Sequence, residues 1–506
     1  MLPLLLLCAL VVEDQTALRA APQESTPRQA VLWRGDWLEV RGERAGYLHV
    51  YDHRHERPGY VRPSQVRTYP LEEASAPALH AVIDFLRDTP GAESLGIGYA
   101  ALYLRTAPAA AVGSEVFAAL GQFAERLGRR ASARRAGAGR EDAALAAHLE
   151  VAQSYGVKFV STERKEHTQV CYDGEAFRRV LALPAPPVQK ARAALYLTHP
   201  DCVPPELGPS DRQLVQEWAV TVLARVDPAA VPAALGNRLR LRRAAALAEL
   251  VFHYARKGDM VRAAAHSEQA VRELALVNRP ELYEEDGAWY DAVAVRVGTA
   301  RWAAEPVRPP RGPAALTLET QPGQPGETCV SLFERRPGAG KGEEKKELLR
   351  KCTYGLVWNQ SLRIAPRGQA LVVAVQPLPS WNELWVFHKD DAPAQTAEAT
   401  KEATKEAAKA GSTDSPDAGP GWRLDTLSPA TVDPYLGNIE LAGFTPDGAR
   451  LLVAREAEVQ GTIRREFQVV RLSTLSVETQ ARSADRLAAF RSWQSADWQS
   501  RTLALR

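Results

Sequence analysis

The stretch GDWLEVRGERAGYLHVYDHRHERPGYVRPSQVR, residues 35–67, carries three short runs with a period of two. In Asp36–Arg41, Leu38 and Val40 alternate with Trp37, Glu39 and Arg41. In Gly46–Tyr51, Leu48 and Val50 alternate with Tyr47, His49 and Tyr51. Successive strand side chains point to opposite faces, so each run predicts a strand with one buried face. Gly59–Arg62 predicts a third strand, with turns at Gly42–Gly46 and at the charged Asp52–Pro58. The expectation is a small β-barrel over residues 28–70.

Downstream the period changes. From 72 to 305, segments such as SAPALHAVIDFLRDT and LRRAAALAELVFHYARKGD space their apolar residues by three and four. That spacing predicts eight to ten helices punctuated by Gly, Pro and Asp, with one strand-like interruption, VKFVSTE, at 157–163. After the Pro/Arg-rich EPVRPPRGP the pattern turns to β over 314–506. A low-complexity insertion at 390–421 lacks large apolar residues, which predicts a solvated linker or a lone helix. A smaller loop, RRPGAGKGEEKKE, is expected at 335–347. Two segments repeat: IAPRGQALVVAV (364–375) aligns with FTPDGARLLVAR (444–455), and each is followed by a further strand, NELWVF or EFQVVRL. In both copies a Pro-x-Gly step predicts a tight turn feeding a strand. The fold class is therefore multidomain α+β: a small β-barrel, an α-helical array, then an antiparallel β-repeat domain.

Bulk properties exclude some partners. The chain has 506 residues and a formal net charge of +2, so no overall field marks nucleic acid or membrane. The apolar run Leu2–Val12 has the length of a secretory leader and is too short to span a bilayer, which predicts a signal segment over 1–23. Glu13 and Asp14 sit where a cleavage region is usually neutral, and a start site misplaced downstream is the alternative. Leu7 is a poor residue before a lipidated Cys8, so lipid anchoring there is not expected. No later run of about 18 apolar residues predicts a transmembrane span.

The other cysteines, Cys171, Cys202, Cys329 and Cys352, form two locally spaced pairs. In an oxidising compartment that pattern predicts two disulfides. Closing the loop from 329 to 352 contributes about 3 kcal/mol in the chain-entropy picture. The first pair also lies near His167 and His199, a set of zinc-ligand types whose spacing is not that of a known finger; no metal is assigned. PGAGKGEE (337–344) fails the phosphate-loop pattern twice. GIGYAA (96–101) is a formal dinucleotide fingerprint without a preceding strand, and helix packing explains it. RLGRRASARRAGAGR (126–140) holds six Arg and no acid and reads as a basic loop. His53 and His55 at a charged loop tip read as solvated. No cofactor is expected.

Four resemblances follow. Gly35-Asp36, Val40, GYLHV (46–50), GYV (59–61), Ser64 and Val66 follow in the order of the bacterial Src-homology-3 family, which the stretch resembles. The family's opening strand and loop are missing here or replaced by TPRQAVLW, which tilts the expectation from ligand groove to structural cap. LVFHYARKGDMVRAAAHSEQAV (250–271) resembles one tetratricopeptide hairpin through Tyr254, Gly258, Asp259, Ala263 and Ala270. The C-terminal repeat is similar to blades of TolB-like propellers. A closed propeller needs about four blades, so a two-repeat sheet or sandwich is expected. Asp201-Cys202 resembles the Asp-Cys step of NlpC/P60 cell-wall peptidases, though two prolines follow it and no strand-borne His does.

The reading is a non-enzymatic, exported, periplasmic envelope protein that binds an envelope protein or a peptidoglycan component or scaffolds an assembly. Tyr47, Tyr51, His53 and Tyr60 are its ligand-binding candidates. The alternatives are a cell-wall peptidase using Cys202 and a cytoplasmic scaffold.

Overall fold

A computed structural model describes residues 7–133, 140–164, 167–307, 316–337, 343–389, 421–431 and 435–503. The expected insertion, apart from Gly421, lies outside them, as does the centre of the loop at 338–342. The chain forms two compact units: residues 1–208 with 221–236, and 209–220 with 237–506. The helical array expected over 72–305 is thus divided between the two.

The first unit opens with a seven-stranded sheet. Its strands are β1 (Leu7–Val11), β2 (Thr16–Arg19), β3 (Arg28–Leu32), β4 (Trp37–Arg44), β5 (Tyr47–Asp52), β6 (Arg57–Val61) and β7 (Val66–Pro70), in the order β3-β2-β6-β5-β4-β1-β7. The three runs of residues 35–67 are β4, β5 and β6. The apolar N-terminus takes a place that the sequence did not suggest. β1 lies between β4 and β7, pairing Ala9 with Leu38 and with Thr68, and Ala9, Leu10 and Val11 are fully buried. Cleavage near residue 23 would remove two of the seven strands. The apolarity of Leu7–Val11 is explained by a strand with cores on both faces: Ala9 and Val11 join the sheet's interior, Cys8 and Leu10 the helical core.

β2 pairs with β3 and reaches β6, with Leu18 fully buried, while TPRQAVLW supplies β3. Helices α1 (Ala76–Arg87), α2 (Glu93–Thr106), α3 (Ser114–Ser132), α4 (Arg140–Ser154), α5 (Glu175–Ala182) and α6 (Pro187–Leu197) follow, and VKFVSTE becomes half of a hairpin, β8 (Phe159–Glu163) with β9 (Thr168–Tyr172). Of the basic segment at 126–140, residues 126–132 are the end of α3, and 134–139 lie outside the described residues. Arg126 and Arg130 lie on α3 and pair with the buried Glu93.

Glycines set how the sheet meets the helices. Gly35 has φ +94°, and a Cβ there would lie 2.4 Å from the Ser94 carbonyl oxygen. A Cβ on Gly98 would lie 2.9 Å from the Gly35 oxygen, which also accepts from Tyr155 Oη at 2.5 Å. Gly96 lies against the Phe123 ring. GIGYAA is therefore the seat of a β-turn on α2, the packing role expected for it.

Helix α7 (Pro209–Ala224) straddles the boundary of the two residue sets. α8 (Ala233–Arg256), whose residues from 237 on belong to the second unit, and α9 (Met260–Ala275) form the expected hairpin. Tyr254 stacks with His266, and Arg243 meets Glu273, so the helices run antiparallel. Gly258 turns the chain at φ +78°, and Asp259 caps α9 by accepting from the Arg262 N–H. Ala263 and Ala270 are fully buried. Helix α10 (Gly287–Ala300) completes this layer.

Three antiparallel arrays follow: β10 (Leu316–Pro322), β11 (Thr328–Pro337) and β12 (Glu343–Thr353); then β13 (Leu356–Ile364), β14 (Ala370–Leu378), β15 (Trp381–Lys389) and β16 (Trp422–Leu427); then β17 (Gly437–Phe444), β18 (Arg450–Val459), β19 (Thr462–Arg471) and β20 (Val477–Ala481). The two sequence repeats build the two four-stranded meanders, which join through a single parallel bridge, Trp381 to Gly437. Their turns match bond for bond. Gly368 donates to Ala365 and Gly448 to Thr445, both at 2.8 Å, with φ of +69° and +67°.

The meanders also stack in the same sense. Leu371 and Val373 of β14 face the preceding three-stranded sheet, whereas Val372 and Ala374 share a core with α8–α10. The equivalent Leu451 and Val453 of β18 join that same shared core, and Leu452 and Ala454 pack under α11 (Ala488–Trp493) and α12 (Ala496–Arg501). Burial on both faces is why LVVAV and LLVA read as unbroken apolar runs.

Replacing Leu10 with Ala should cost about 2–5 kcal/mol in urea-induced unfolding, the range for a fully buried leucine. Unchanged stability would mean that β1 is a dispensable leader.

Candidate functional site

The four predicted binding residues fall at three places on the N-terminal sheet. Tyr47, His49 and Tyr51 alternate with buried Leu48 and Val50 on β5, so they share the outer face. Tyr47 hydrogen-bonds to the Arg62 guanidinium, while Tyr60 stacks on His49 with ring centroids 5.0 Å apart. Tyr51 and His53 belong to a larger group. His53 stacks on Trp37 at 4.8 Å, Tyr51 meets His53 edge-on at 4.9 Å, Arg41 lies over Tyr51, and Arg105 of α2 lies over Trp37. His53 Nε2 lies 2.9 Å from Glu39, which also accepts from Arg41. These two bonds hold the Glu39 carboxylate below its ordinary range. His53 is therefore ordered rather than merely solvated, and His55 turns away to the buried Asp52. Trp37, Arg41 and Arg105 were not anticipated. Only the period-two pattern, which puts Trp37 and Arg41 on one face, could have pointed to two of them.

The opposite side of this region is anchored. His148 Nε2 lies 2.8 Å from Asp14, and Arg34 makes an ion pair with the same carboxylate. Burial pushes Asp14 up, but these hydrogen bonds outweigh it and hold the carboxyl well below the usual range. Arg54 bridges Asp36 and Glu150. Burial nevertheless raises Asp36, because Arg54 offsets only part of the desolvation.

The cysteines pair as expected. Cys171 is bonded to Cys202, and Cys329 to Cys352, the latter at directly opposed positions of β11 and β12. The zinc alternative loses its sulfur ligands, and His199 instead accepts from the Asp201 N–H. Cys8 is the free cysteine among the described residues, and burial pushes its thiol up to about 12.

The second unit holds a buried polar group that the sequence did not mark, because its members are scattered singly along apolar strands. Glu440 accepts from Arg301 Nε at 3.1 Å, Trp498 Nε1 at 2.7 Å and Asn438 Nδ2 at 3.2 Å. Asn438 stands opposite Glu456, which is fully buried and paired with Arg465. Arg465 in turn reaches Asp291 of α10 at 2.7 Å. Burial, with Glu440 and Asp291 nearby, raises Glu456 to about 7 despite Arg465. No helix among the described residues is long and apolar enough to cross a membrane.

With this geometry in hand, comparison with known proteins adds no name. No family model, curated protein or solved structure matches the chain.

Two outcomes follow. A thiol reagent should find no reactive group in the native, non-reduced protein and one per chain, Cys8, after denaturation. More than one thiol in the denatured, non-reduced chain would contradict the pairing. Because Glu456 binds its proton more tightly when folded, stability should fall as pH rises from 4.5 towards 7, where only the unfolded chain loses the proton. The fall is about 3 kcal/mol at roughly 1.4 kcal/mol per pH unit. Glu456→Gln should flatten that slope in denaturation curves recorded across this range, and an unchanged slope would assign it to other groups.

Proposed function

We propose that the protein is a non-enzymatic binding or scaffold protein of the bacterial cell envelope, with the outer face of its N-terminal sheet as the contact surface. The observation that carries this reading is the row Tyr47, His49 and Tyr51 on β5, continued by His53 and Trp37 and flanked by Arg41 and Arg105. Aromatic faces with guanidinium groups suit a partner that offers both apolar and hydrogen-bonding surface, as an envelope protein or a peptidoglycan component does. The Trp37 end of this face also packs against the helical core beneath Arg105 of α2, while Tyr47, His49 and Tyr51 are half-buried along β5, so only the Trp37 end is shared between packing and binding.

The resemblance to the bacterial Src-homology-3 family is one support for reading this sheet as a binding module, and β2 and β3 give it two strands before the run that carries the resemblance. Export is supported by the two disulfides, which persist in oxidising compartments. The apolar run at the N-terminus no longer adds support, because Leu7–Val11 is a strand. The disulfides weigh against a cytoplasmic scaffold. The peptidase alternative loses its nucleophile, because Cys202 has no thiol to ionise while bonded to Cys171.

The test is co-sedimentation of the full chain with insoluble peptidoglycan and with solubilised envelope proteins. Tyr47→Ala combined with Tyr51→Ala should release most of the retained protein while circular dichroism stays unchanged. Retention equal to that of the unsubstituted chain would reject this face as the contact surface.

A further inference from the structure

The second unit contains a cleft of about 410 Å³, within the range of small-ligand sites. Its position follows from the repeat. One wall is Ser361–Ile364 at the end of β13, and another is Leu441–Phe444 at the end of β17, the equivalent positions of the two meanders. The C-terminal segment breaks the symmetry. Position 363 is Arg in the first repeat, and its counterpart in the second is Gly443. A Cβ on Gly443 would lie 2.6 Å from the Trp493 carbonyl oxygen, so glycine lets the segment 493–495 close against β17. Ser495 N–H donates to the Ala442 oxygen at 2.7 Å. Arg363 reaches across to the same segment, donating to Asp497 at 2.8 Å.

Three properties define what would fit. First, each arginine that lines the cleft already has a carboxylate partner: Arg363 and Arg501 pair with Asp497 in the lining, and Arg301 and Arg501 with Glu305, and Arg301 with Glu440, behind it. A charged ligand would have to break one of these pairs or bring an uncompensated charge. Second, Trp302 lines the cleft and is only 7% exposed, yet its indole N–H has no acceptor among the described residues. A buried donor of this kind costs free energy until an acceptor arrives. Third, Trp493 is 43% exposed and stands with Phe444 at the wall, so aromatic surface meets solvent beside planar ion pairs.

We infer that this cleft binds an uncharged sugar ring, whose apolar face lies on aromatic surface and whose oxygens meet the guanidinium, carboxylate and indole groups. Such a ligand offers acceptors and donors without net charge, and it has the two-faced character that the lining shares. The inference is independent of the N-terminal contact surface, which is in the other unit.

The test is calorimetric titration of the full chain with the trimer of N-acetylglucosamine, with maltotriose and with trigalacturonic acid. One of the neutral trimers should bind with a dissociation constant of about 1 mM or tighter. Trp493→Ala should weaken it by about tenfold, the upper range for loss of one aromatic contact. Trp302→Phe, which keeps a ring and removes only the N–H, should weaken it as well. If Trp302→Phe fails to fold by circular dichroism, the exposed Trp493→Ala decides alone. No binding of either neutral trimer at about 10 mM, binding that Trp493→Ala leaves unchanged, or tighter binding of the acidic trimer would overturn the inference.

Discussion

The first unit depends on a backbone approach that leaves no room for a side chain. Gly35 rests on the Ser94 carbonyl, Gly98 rests on the Gly35 oxygen, and Tyr155 donates to that oxygen. Any Cβ at Gly35 would both enter the α2 backbone and demand a left-handed conformation that L side chains rarely adopt. With this turn seated, neighbouring turns find partners on α4: Asp14 meets His148, and Arg54 meets Glu150. The aromatic row of β5 continues through His53 to Trp37, which packs against the helical core beneath Arg105 of α2.

The second unit is governed by repetition rather than by one contact. A Pro-x-Gly turn recurs with the same hydrogen bonds, each turn launches a strand buried on both faces, and each meander stacks on its predecessor through equivalent residues. Such a stack has unlike ends. The first meander is covered by the three-stranded sheet, and the second by α11 and α12, so cores form on both sides without ring closure. The cleft lies where the first strands of the two meanders approach, and its asymmetry comes from the single exchange of Arg363 for Gly443.

The periodicities were enough to locate β4, β5, β6, the helices and the paired repeats, because burial on one face leaves a regular trace in the sequence. The N-terminus was ambiguous because a strand buried on two faces and a secretory leader share one signature, an unbroken apolar run. β2 was hidden for another reason: TALR is four residues long and only half buried, too short for a period to emerge. Helix periodicity also could not show that α1–α6 and α8–α10 belong to different units, since that division is set by contacts distant in sequence. The aromatic group at Trp37 was half legible, and the cleft was not, because its arginines, acids and tryptophans come from four separate segments.

Amide hydrogen exchange of the intact chain tests the central claim, that the apolar N-terminus is structural and is locked to the helices through the Gly35 turn. The account predicts that the amides of Cys8–Val11 and of Gly35 and Asp36 are protected to the same degree as those of α2, and open with them. Exchange of residues 8–11 at the rate of an unstructured peptide, with α2 still protected, would contradict it.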